Sequence, residues 1–270
     1  MSAGFTYAAL AEAERQGRPA ALCTVVYTRG SVPRHAGSKM LVFADGQVAG
    51  TIGGGELESR VTRAALEGLA AGAPRLIQHQ LADPQAGAPG VCGGERQVFV
   101  EPVRPQPVLL IIGGGHVGRA LVTAGKWLGF RVVLSDDRPE FATPESAPGA
   151  DEYLPMGAAD LAGVFPFHPE TYIVMPTRGV PLDLEALPHL LARPHAYLGV
   201  IGSRRRWATT LEALLARGVT RAQLEHIHAP MGLELNAETP EEIAISVLAE
   251  IIMVRRGGTG QPMRWPAPER

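Results

Sequence analysis

A run of five apolar residues, Val108 to Ile112, leads directly into three glycines with the spacing Gly-x-Gly-x-x-Gly, namely Gly113, Gly115 and Gly118. In such a turn the first glycine permits the tight bend, and the second lets the backbone approach a pyrophosphate. The third lets the following helix pack closely on the strand. The start of that helix presents free N–H donors and the positive end of its dipole to an anion. The spacing therefore predicts a phosphate-binding turn of the dinucleotide type, unless the glycines serve packing alone.

Two titratable side chains accompany this turn. Asp136 follows a second apolar strand, Arg131 to Leu134. It stands at about the 20-residue spacing from which an acid can bind a ribose 2′-hydroxyl. His116 lies inside the glycine turn, where it either faces the phosphates of a ligand or caps the helix. We count both residues as candidate cofactor-binding residues.

Basic residues follow two further apolar strands. Thr177-Arg178-Gly179 comes after Tyr172 to Met175, and Gly202-Ser203-Arg204, with Arg205, comes after Ala196 to Ile201. Ligands of open parallel sheets bind at the carboxyl ends of the strands, so we expect these residues to share one crevice with the glycine turn. Cations at a helix start oppose the helix dipole, which favours an anionic partner over a merely solvated helix end.

A second glycine cluster, Gly53-Gly54-Gly55, joins a predicted hairpin strand to a predicted helix in the N-terminal half. Three consecutive glycines usually mark a special backbone geometry or a close approach. Their N–H groups could cradle an anion, with charge supplied by Arg29, Arg34 and Lys39. The alternative is a tight strand-to-helix turn beside a solvated basic loop, and both interpretations remain open.

The two cysteines have different surroundings. Cys23 lies in an apolar strand and is expected to be buried, as free cysteines usually are. Cys92 lies between a Pro/Gly/Ala-rich segment, residues 83–90, and two glycines, so we expect it to be accessible and to be the functional thiol. Simple packing of the loop is the competing interpretation. The two positions form neither a disulfide framework nor a zinc-type spacing.

These residues need a scaffold of strands and helices in a definite order. Strand, glycine turn, helix and second strand predict an α/β fold, with a Rossmann-like parallel sheet domain C-terminal to a smaller α+β domain. Prolines at 102, 105 and 107 suggest a boundary there. We expect an N-terminal domain over residues 1–105, the Rossmann-like domain over 106–258 with a capped C-terminal helix at 239–256, and a disordered tail over 259–270. A Pro/Ala-rich loop is expected after Arg138.

Composition restricts the classes of function. The net charge is −2, with 46% hydrophobic and 19% charged residues, which gives no indication of non-specific binding to nucleic acid or to a membrane. No apolar run approaches the roughly 20 residues of a membrane span. The first residues lack the pattern of a signal peptide. We expect a cytoplasmic protein with reduced thiols.

Taken together, the motifs resemble those of the XdhC/CoxI family, the xanthine dehydrogenase accessory proteins. The resemblance spans nearly the whole chain and rests on the following segments: Gly30-Ser31-Val32-Pro33-Arg34, Gly50 to Glu58, Cys92-Gly93-Gly94, Gly113 to Gly118, Asp136-Asp137-Arg138, Gly199 to Arg205, Ala229-Pro230-Met231-Gly232-Leu233 and Thr239 to Ala244.

This resemblance implies an accessory role rather than a catalytic one. Family members resemble chaperones that bind the molybdenum cofactor, as molybdopterin or its dinucleotide form, and guard it during terminal sulfuration by a cysteine desulfurase. They then pass it to a molybdenum hydroxylase of the xanthine dehydrogenase type. Cys92 would be a soft contact for molybdenum. We further expect a homo-oligomer, such as a dimer. Val180 stands where the family often has histidine, and Arg206 where it commonly has lysine.

Two other functions remain open from the residues alone. One is an NAD(P)-dependent oxidoreductase, in which Asp136 favours NAD and Arg138 leaves NADP possible. No proton-donating residue pair can be assigned for it from the sequence. The weaker alternative is a nucleotide-sensing partner protein.

Overall fold

The computed structural model describes residues 3–30, 32–80 and 94–264. The chain divides into two compact units, residues 1–105 and 106–270. Within the described ranges, no helix combines the length and the apolar character that crossing a membrane requires.

The N-terminal unit is a five-stranded antiparallel sheet with a helix on each face. The strand order is β3-β2-β1-β5-β4. The elements are α1 (Ala3–Arg15), β1 (Ala20–Gly30), β2 (Lys39–Phe43), β3 (Val48–Gly50), α2 (Gly55–Ala71), β4 (Arg75–Gln80) and β5 (Gly94–Val103).

Alternation along the strands decides which helix covers which face. Cys23 and Val25 of β1 point to one face and pack with Leu57 and Val61 of α2 in one buried cluster. Their neighbours in the strand point to the opposite face, where Ala20 packs with residues of α1. The unit is therefore a three-layer α/β/α arrangement around a single sheet.

The C-terminal unit is a five-stranded parallel sheet of order β10-β9-β6-β7-β8. The three inner strands are buried along their whole length or nearly so, as parallel strands covered on both faces must be. The elements are β6 (Val108–Ile112), α3 (His116–Trp127), β7 (Arg131–Ser135), β8 (Glu152–Leu154), α4 (Ala158–Val164), β9 (Thr171–Met175), α5 (Val180–Leu191), β10 (Tyr197–Val200), α6 (Arg204–Ala216), α7 (Arg221–Leu224) and α8 (Pro240–Arg256).

This topology confirms the predicted α/β class with a Rossmann-like parallel sheet. From the central strand β6 the chain moves outward through β7 and β8, and then returns to the other side of β6 with β9 and β10. The order reverses between β6 and β9, which is the switch point at which such sheets bind ligands.

Two short elements replace part of the loop expected after Arg138. The strand β8 pairs with β7 at the sheet edge, and α4 follows it. Three strand residues are too few to show an alternating pattern in the sequence. The last helix, α8, has the capping box of Thr239 and Glu242 and ends at Gly257 in the left-handed conformation. Residues 259–264 belong to no helix or strand.

Candidate functional site

A cavity of about 440 Å³ opens at the switch point, at the carboxyl ends of β6, β7 and β9. Its volume lies within the range of about 300–1,000 Å³ that is typical of small-molecule sites. The residues that line it come from four strand ends and two helices: Ile112, Gly113, Gly115, Asp136, Asp137, Arg138, Pro155, Met156, Gly157, Ala158, Asp160, Pro176, Thr177, Arg178, Leu182, Glu185 and Ala186.

The glycines of the turn have different surroundings. A Cβ atom on Gly115 would meet nothing within 4 Å, and the backbone there has a φ of −67° that any residue can adopt. A Cβ on Gly118 would lie 1.9 Å from the Gly113 carbonyl oxygen, and one on Gly114 would lie 2.1 Å from the Phe141 carbonyl oxygen. Gly114 and Gly118 are therefore required by packing, whereas Gly115 leaves free space on the side of the cavity.

The start of α3 meets this free space. Gly115 precedes the first helical residue and provides no side chain to cap the helix. The first N–H groups of a helix have no partner within the helix and carry its positive dipole end. An anion such as a phosphate group can therefore bind here through backbone donors alone.

The side chain of His116 does not line this cavity. It is the exposed first residue of α3 and lines a different surface groove together with Arg119, Trp127 and Glu241. Of the two roles predicted for it, contact with a ligand in the switch-point cavity therefore has no support from the geometry.

Asp136 is 3% exposed and accepts four hydrogen bonds. One comes from the Gly114 N–H at 2.8 Å. The other three come from Arg138, through its backbone N–H and two guanidinium nitrogens at 2.9–3.0 Å. Burial by itself raises the pKa of the Asp136 carboxyl, but the hydrogen bonds from Arg138 and Gly114 outweigh it and leave the pKa below its ordinary value. A carboxylate offers about four acceptor positions. The four hydrogen bonds occupy these positions, so the Asp136 carboxylate anchors the glycine turn. The sequence had suggested that it would contact a ribose 2′-hydroxyl instead.

Arg178 lies at the rim of the cavity and is paired. Its guanidinium makes two hydrogen bonds to the Asp137 carboxylate, at 3.0 and 2.8 Å. These bonds raise the pKa of Arg178. The rim is therefore less positive than its arginines alone suggest. The lining also includes two exposed acids, Asp160 and Glu185, which sequence reasoning did not single out.

Arg206 is part of the framework beneath this rim. Its guanidinium contacts both carboxylate oxygens of Asp183, which is fully buried, and also the Thr177 carbonyl and hydroxyl oxygens. The Thr177 hydroxyl donates to Asp183 in turn. Because these residues belong to the end of β9, α5 and α6, the cluster locks three elements together. Arginine at this position thus has a complete set of partners inside the fold.

The segment Gly202-Ser203-Arg204 lies apart from the first cavity. Gly202 and Arg204 line a second cavity of about 520 Å³ together with residues 230–237. Ser203 caps α6 by accepting from the Arg206 N–H. The single crevice that we expected at the strand ends is thus divided into two cavities, and the chain at His228 pairs in parallel with the edge strand β10 at Gly199.

In the N-terminal unit, the cluster Gly53-Gly54-Gly55 is the predicted turn between strand and helix, and an internal carboxylate fills part of it. Glu58 accepts from the N–H groups of Ile52 and Gly54, at 3.0 and 2.8 Å, and from the Thr51 hydroxyl. These bonds offset the effect of burial and lower the pKa of Glu58.

Of the basic residues expected near this turn, Arg34 lies beside it and Lys39 does not. Arg34 lies next to Gly53, whose Cβ would come within 3.4 Å of it. Lys39 instead contacts the Thr24 hydroxyl and the Tyr7 ring. Thr24 alternates with Cys23 and Val25, so Lys39 lies on the face opposite to α2.

The structure describes one of the two cysteines. Cys23 is fully buried, and burial raises the pKa of its thiol to about 12. Cys92, the predicted molybdenum contact, lies outside the described residues. Within the described ranges, no group of three or more His, Cys, Asp or Glu side chains is arranged to hold a metal ion.

Fold and site together define a two-unit α/β protein with an uncapped helix start above a ligand-sized cavity at a Rossmann switch point. Residues 109–251 match the model of the XdhC Rossmann domain, and residues 13–80 match that of the XdhC and CoxI family. The first match alone covers more than half of the chain. The chain belongs to the XdhC family.

Three curated relatives support this assignment. YqeB of Escherichia coli (strain K12) is 39% identical over 261 residues, which is 95% of this chain and 47% of YqeB. A probable xanthine dehydrogenase subunit of Bacillus subtilis (strain 168) is 30% identical over 159 residues, 59% of this chain and 46% of that protein. The molybdenum cofactor insertion chaperone PaoD of Escherichia coli (strain K12) is 29% identical over 274 residues, 90% of this chain and 86% of PaoD. The chain spans about half the length of the first two.

Proposed function

We propose that the chain is an accessory protein that binds the molybdenum cofactor in the switch-point cavity and delivers it to a hydroxylase of the xanthine dehydrogenase type. The observation that carries this proposal is the free space above Gly115, at the uncapped start of α3, inside a cavity of about 440 Å³. Molybdopterin carries a phosphate, and its dinucleotide form a pyrophosphate, and either suits a helix start of this kind. The similarity to PaoD along most of both chains favours this cofactor over other phosphate-bearing ligands.

The remaining walls of the cavity suit the other end of such a cofactor. Asp160 and Glu185 are acceptor groups, and a pterin ring presents amino and ring N–H donors. The charged side chains in the described lining are carboxylates and arginines, which bind and orient a polar ligand. Such a lining favours a protein that holds a cofactor.

The finer points remain predictions from the sequence and from the family resemblance. They are terminal sulfuration by a cysteine desulfurase while the cofactor is bound, a contact between Cys92 and molybdenum, a cytoplasmic location and a homo-oligomeric state.

The second candidate function is NAD(P)-dependent oxidoreduction, because the Rossmann topology and the glycine turn suit a dinucleotide equally well. The hydrogen bonds of Asp136 count against it. Recognition of a ribose 2′-hydroxyl would require Asp136 to release a guanidinium contact from Arg138.

The substitution Gly115→Val tests the site. The apo protein has room for the side chain, but a phosphate group bound at the start of α3 would collide with it. We expect the variant to fold normally and to lose affinity for the cofactor at least about tenfold, equivalent to about 1.4 kcal/mol. Calorimetry with anaerobically extracted molybdenum cofactor, and separately with NAD⁺ and NADP⁺, measures this.

Gly163→Val in α4 is the matched control, because a Cβ there also meets nothing within 4 Å and the residue does not line the cavity. It should bind as the unmodified chain does. Wild-type affinity of Gly115→Val for every ligand would exclude the site. Binding of NAD⁺ or NADP⁺ but not of the molybdenum cofactor would select the oxidoreductase.

A further inference from the structure

A surface groove of about 760 Å³ runs between α3 and α8 in the C-terminal unit. The two helices pack side by side and share one buried cluster on the same face of the sheet. Six residues of α3 line the groove, at positions 116, 119, 120, 123, 124 and 127, together with four from the first two turns of α8. Steps of three and four residues place side chains in one stripe of a helix. The groove therefore follows α3 along its whole length.

The groove combines small apolar residues with large ones that protrude beside them. Ala120 and Ala124 lie in the middle of the α3 stripe, and Ala244 lies on α8. Trp127 is 80% exposed and Ile245 is 49% exposed. Large apolar side chains that cluster at the surface beside polar residues mark interaction surfaces. One face thus carries both an exposed indole ring and a hollow lined by alanines.

The charged residues of the groove lie on different helices and have opposite signs. Arg119 belongs to α3, and Glu241 belongs to the first turn of α8. Neither side chain has an ion-pair or hydrogen-bond partner in the part of the chain that the structure describes. Each of them is therefore available for an opposite charge on another molecule. Such charges decide which surfaces can meet, because like charges across an interface exclude the wrong partner.

We propose that two copies of the chain form a twofold dimer through this α3–α8 face. In an interface of this type the same patch of both copies meets, so every contact occurs twice. Arg119 of each copy faces Glu241 of the other, and the Trp127 ring of each copy packs into the alanine-lined hollow of the other. A second copy supplies the missing charge and the missing apolar partner together, so it suits the face better than an unrelated helix of one charge sign.

This dimer goes beyond the proposed function and does not depend on it. The groove and the switch-point cavity share no lining residue among those described. The cavity can therefore bind its ligand in either copy, and the dimer stands whether or not that ligand is the molybdenum cofactor. The interface gives the homo-oligomer expected from the family resemblance a defined surface.

Sedimentation velocity of the full chain over a range of concentrations tests the proposal. We expect a monomer–dimer equilibrium for the unmodified chain. Arg119→Glu and Glu241→Arg each bring like charges together at two places in the dimer, so each should weaken dimerisation at least about tenfold. An equimolar mixture of the two variants should restore the dimer, because one copy then carries two acids where the other carries two arginines.

A pair of apolar variants tests the same face without a change of charge. Trp127→Ala should weaken the dimer at least about tenfold, since buried tryptophans dominate the energy of many interfaces. Val164→Ala is the matched control, because Val164 is 67% exposed on α4 and does not line the groove. It should dimerise as the unmodified chain does. If a charge variant does not fold, as judged by thermal unfolding, this pair carries the test.

Three results would overturn the proposal. The first is an unmodified chain that stays monomeric at every concentration. The second is a mixture of folded Arg119→Glu and Glu241→Arg chains that does not dimerise. The third is an equal effect of Trp127→Ala and Val164→Ala, which would place any dimer contact on another surface.

Discussion

Gly115 and Gly118 lie three residues apart in one turn, yet a methyl group would meet open space at the first and a backbone oxygen at the second. The glycine spacing alone does not reveal this difference. It arises because α3 packs against the carbonyl of Gly113, whereas Gly115 faces the cavity. At the scale of single residues, the site therefore consists of one glycine that leaves room for a ligand and of neighbours that maintain the turn.

Asp136 maintains the turn through charge, and its removal should be visible in stability. The pKa of its carboxyl is lower in the folded chain than its ordinary value of 3.8. Such a group stabilises the fold above pH 4, and the contribution disappears as the pH falls through the folded pKa. We expect Asp136→Asn to lower the free energy of unfolding by about 1–3 kcal/mol at pH 7. The difference from the unmodified chain should shrink in acid below pH 4.

Urea denaturation at the two pH values, followed by the transition of the C-terminal unit, measures this. A deficit that stays the same at both pH values would show that Asp136 acts through shape and not through its charge.

The two cysteines should differ in their reactivity towards alkylating reagents. Cys23 is fully buried with its thiol pKa raised to about 12, so almost no thiolate forms and alkylation should be slow in every state. For Cys92 we predict fast alkylation in the apo protein and slow alkylation when the molybdenum cofactor is bound. Mass spectrometry of each cysteine peptide over time distinguishes the two. Equal labelling of Cys92 in both states, with full molybdenum loading of Cys92→Ala, would remove the thiol from the proposal.

At the scale of elements, the ends of β9, α5 and α6 are joined by one internal ion pair. Asp183 is fully buried, and Arg206 supplies its only countercharge within ion-pair distance among the described residues. This cluster holds Thr177, a lining residue of the cavity, in position. The arginine run 204–206 thus contains a structural member that its composition does not distinguish from its neighbours.

Breaking this pair should destabilise the C-terminal unit strongly. We expect Arg206→Met to lower its free energy of unfolding by about 3–5 kcal/mol, because the Asp183 carboxylate would remain buried without a partner. Arg206→Lys should recover part of the loss through a single ammonium contact. Arg205→Met, at an exposed neighbouring position, should change stability by less than about 0.5 kcal/mol. Equal effects of the two methionine variants in thermal unfolding would contradict this role for Arg206.

At the scale of the whole chain, the sequence predicts what depends on local pattern. The strand and helix of the glycine turn, the position of Asp136 after β7 and the fold class all follow from spacings within about 30 residues. The partners of individual side chains do not follow in the same way. Asp183 with Arg206, and Glu58 within its own glycine turn, are seen only when register and packing are known. Arg96 is an intermediate example. Its inward position can be predicted from the alternation with Val98 and Val100 along β5, but its contacts cannot.

The central claim concerns what the C-terminal unit carries when the protein is made in a cell that synthesises the molybdenum cofactor. The most direct measurement is the amount of molybdenum and of oxidised pterin that co-purifies with the unmodified chain and with Gly115→Val. We predict that both are present in a constant ratio with the unmodified chain, and that both fall together at least about tenfold in the variant, in line with the expected loss of affinity. Equal molybdenum and pterin in the two preparations, or nicotinamide absorbance in place of pterin, would contradict it.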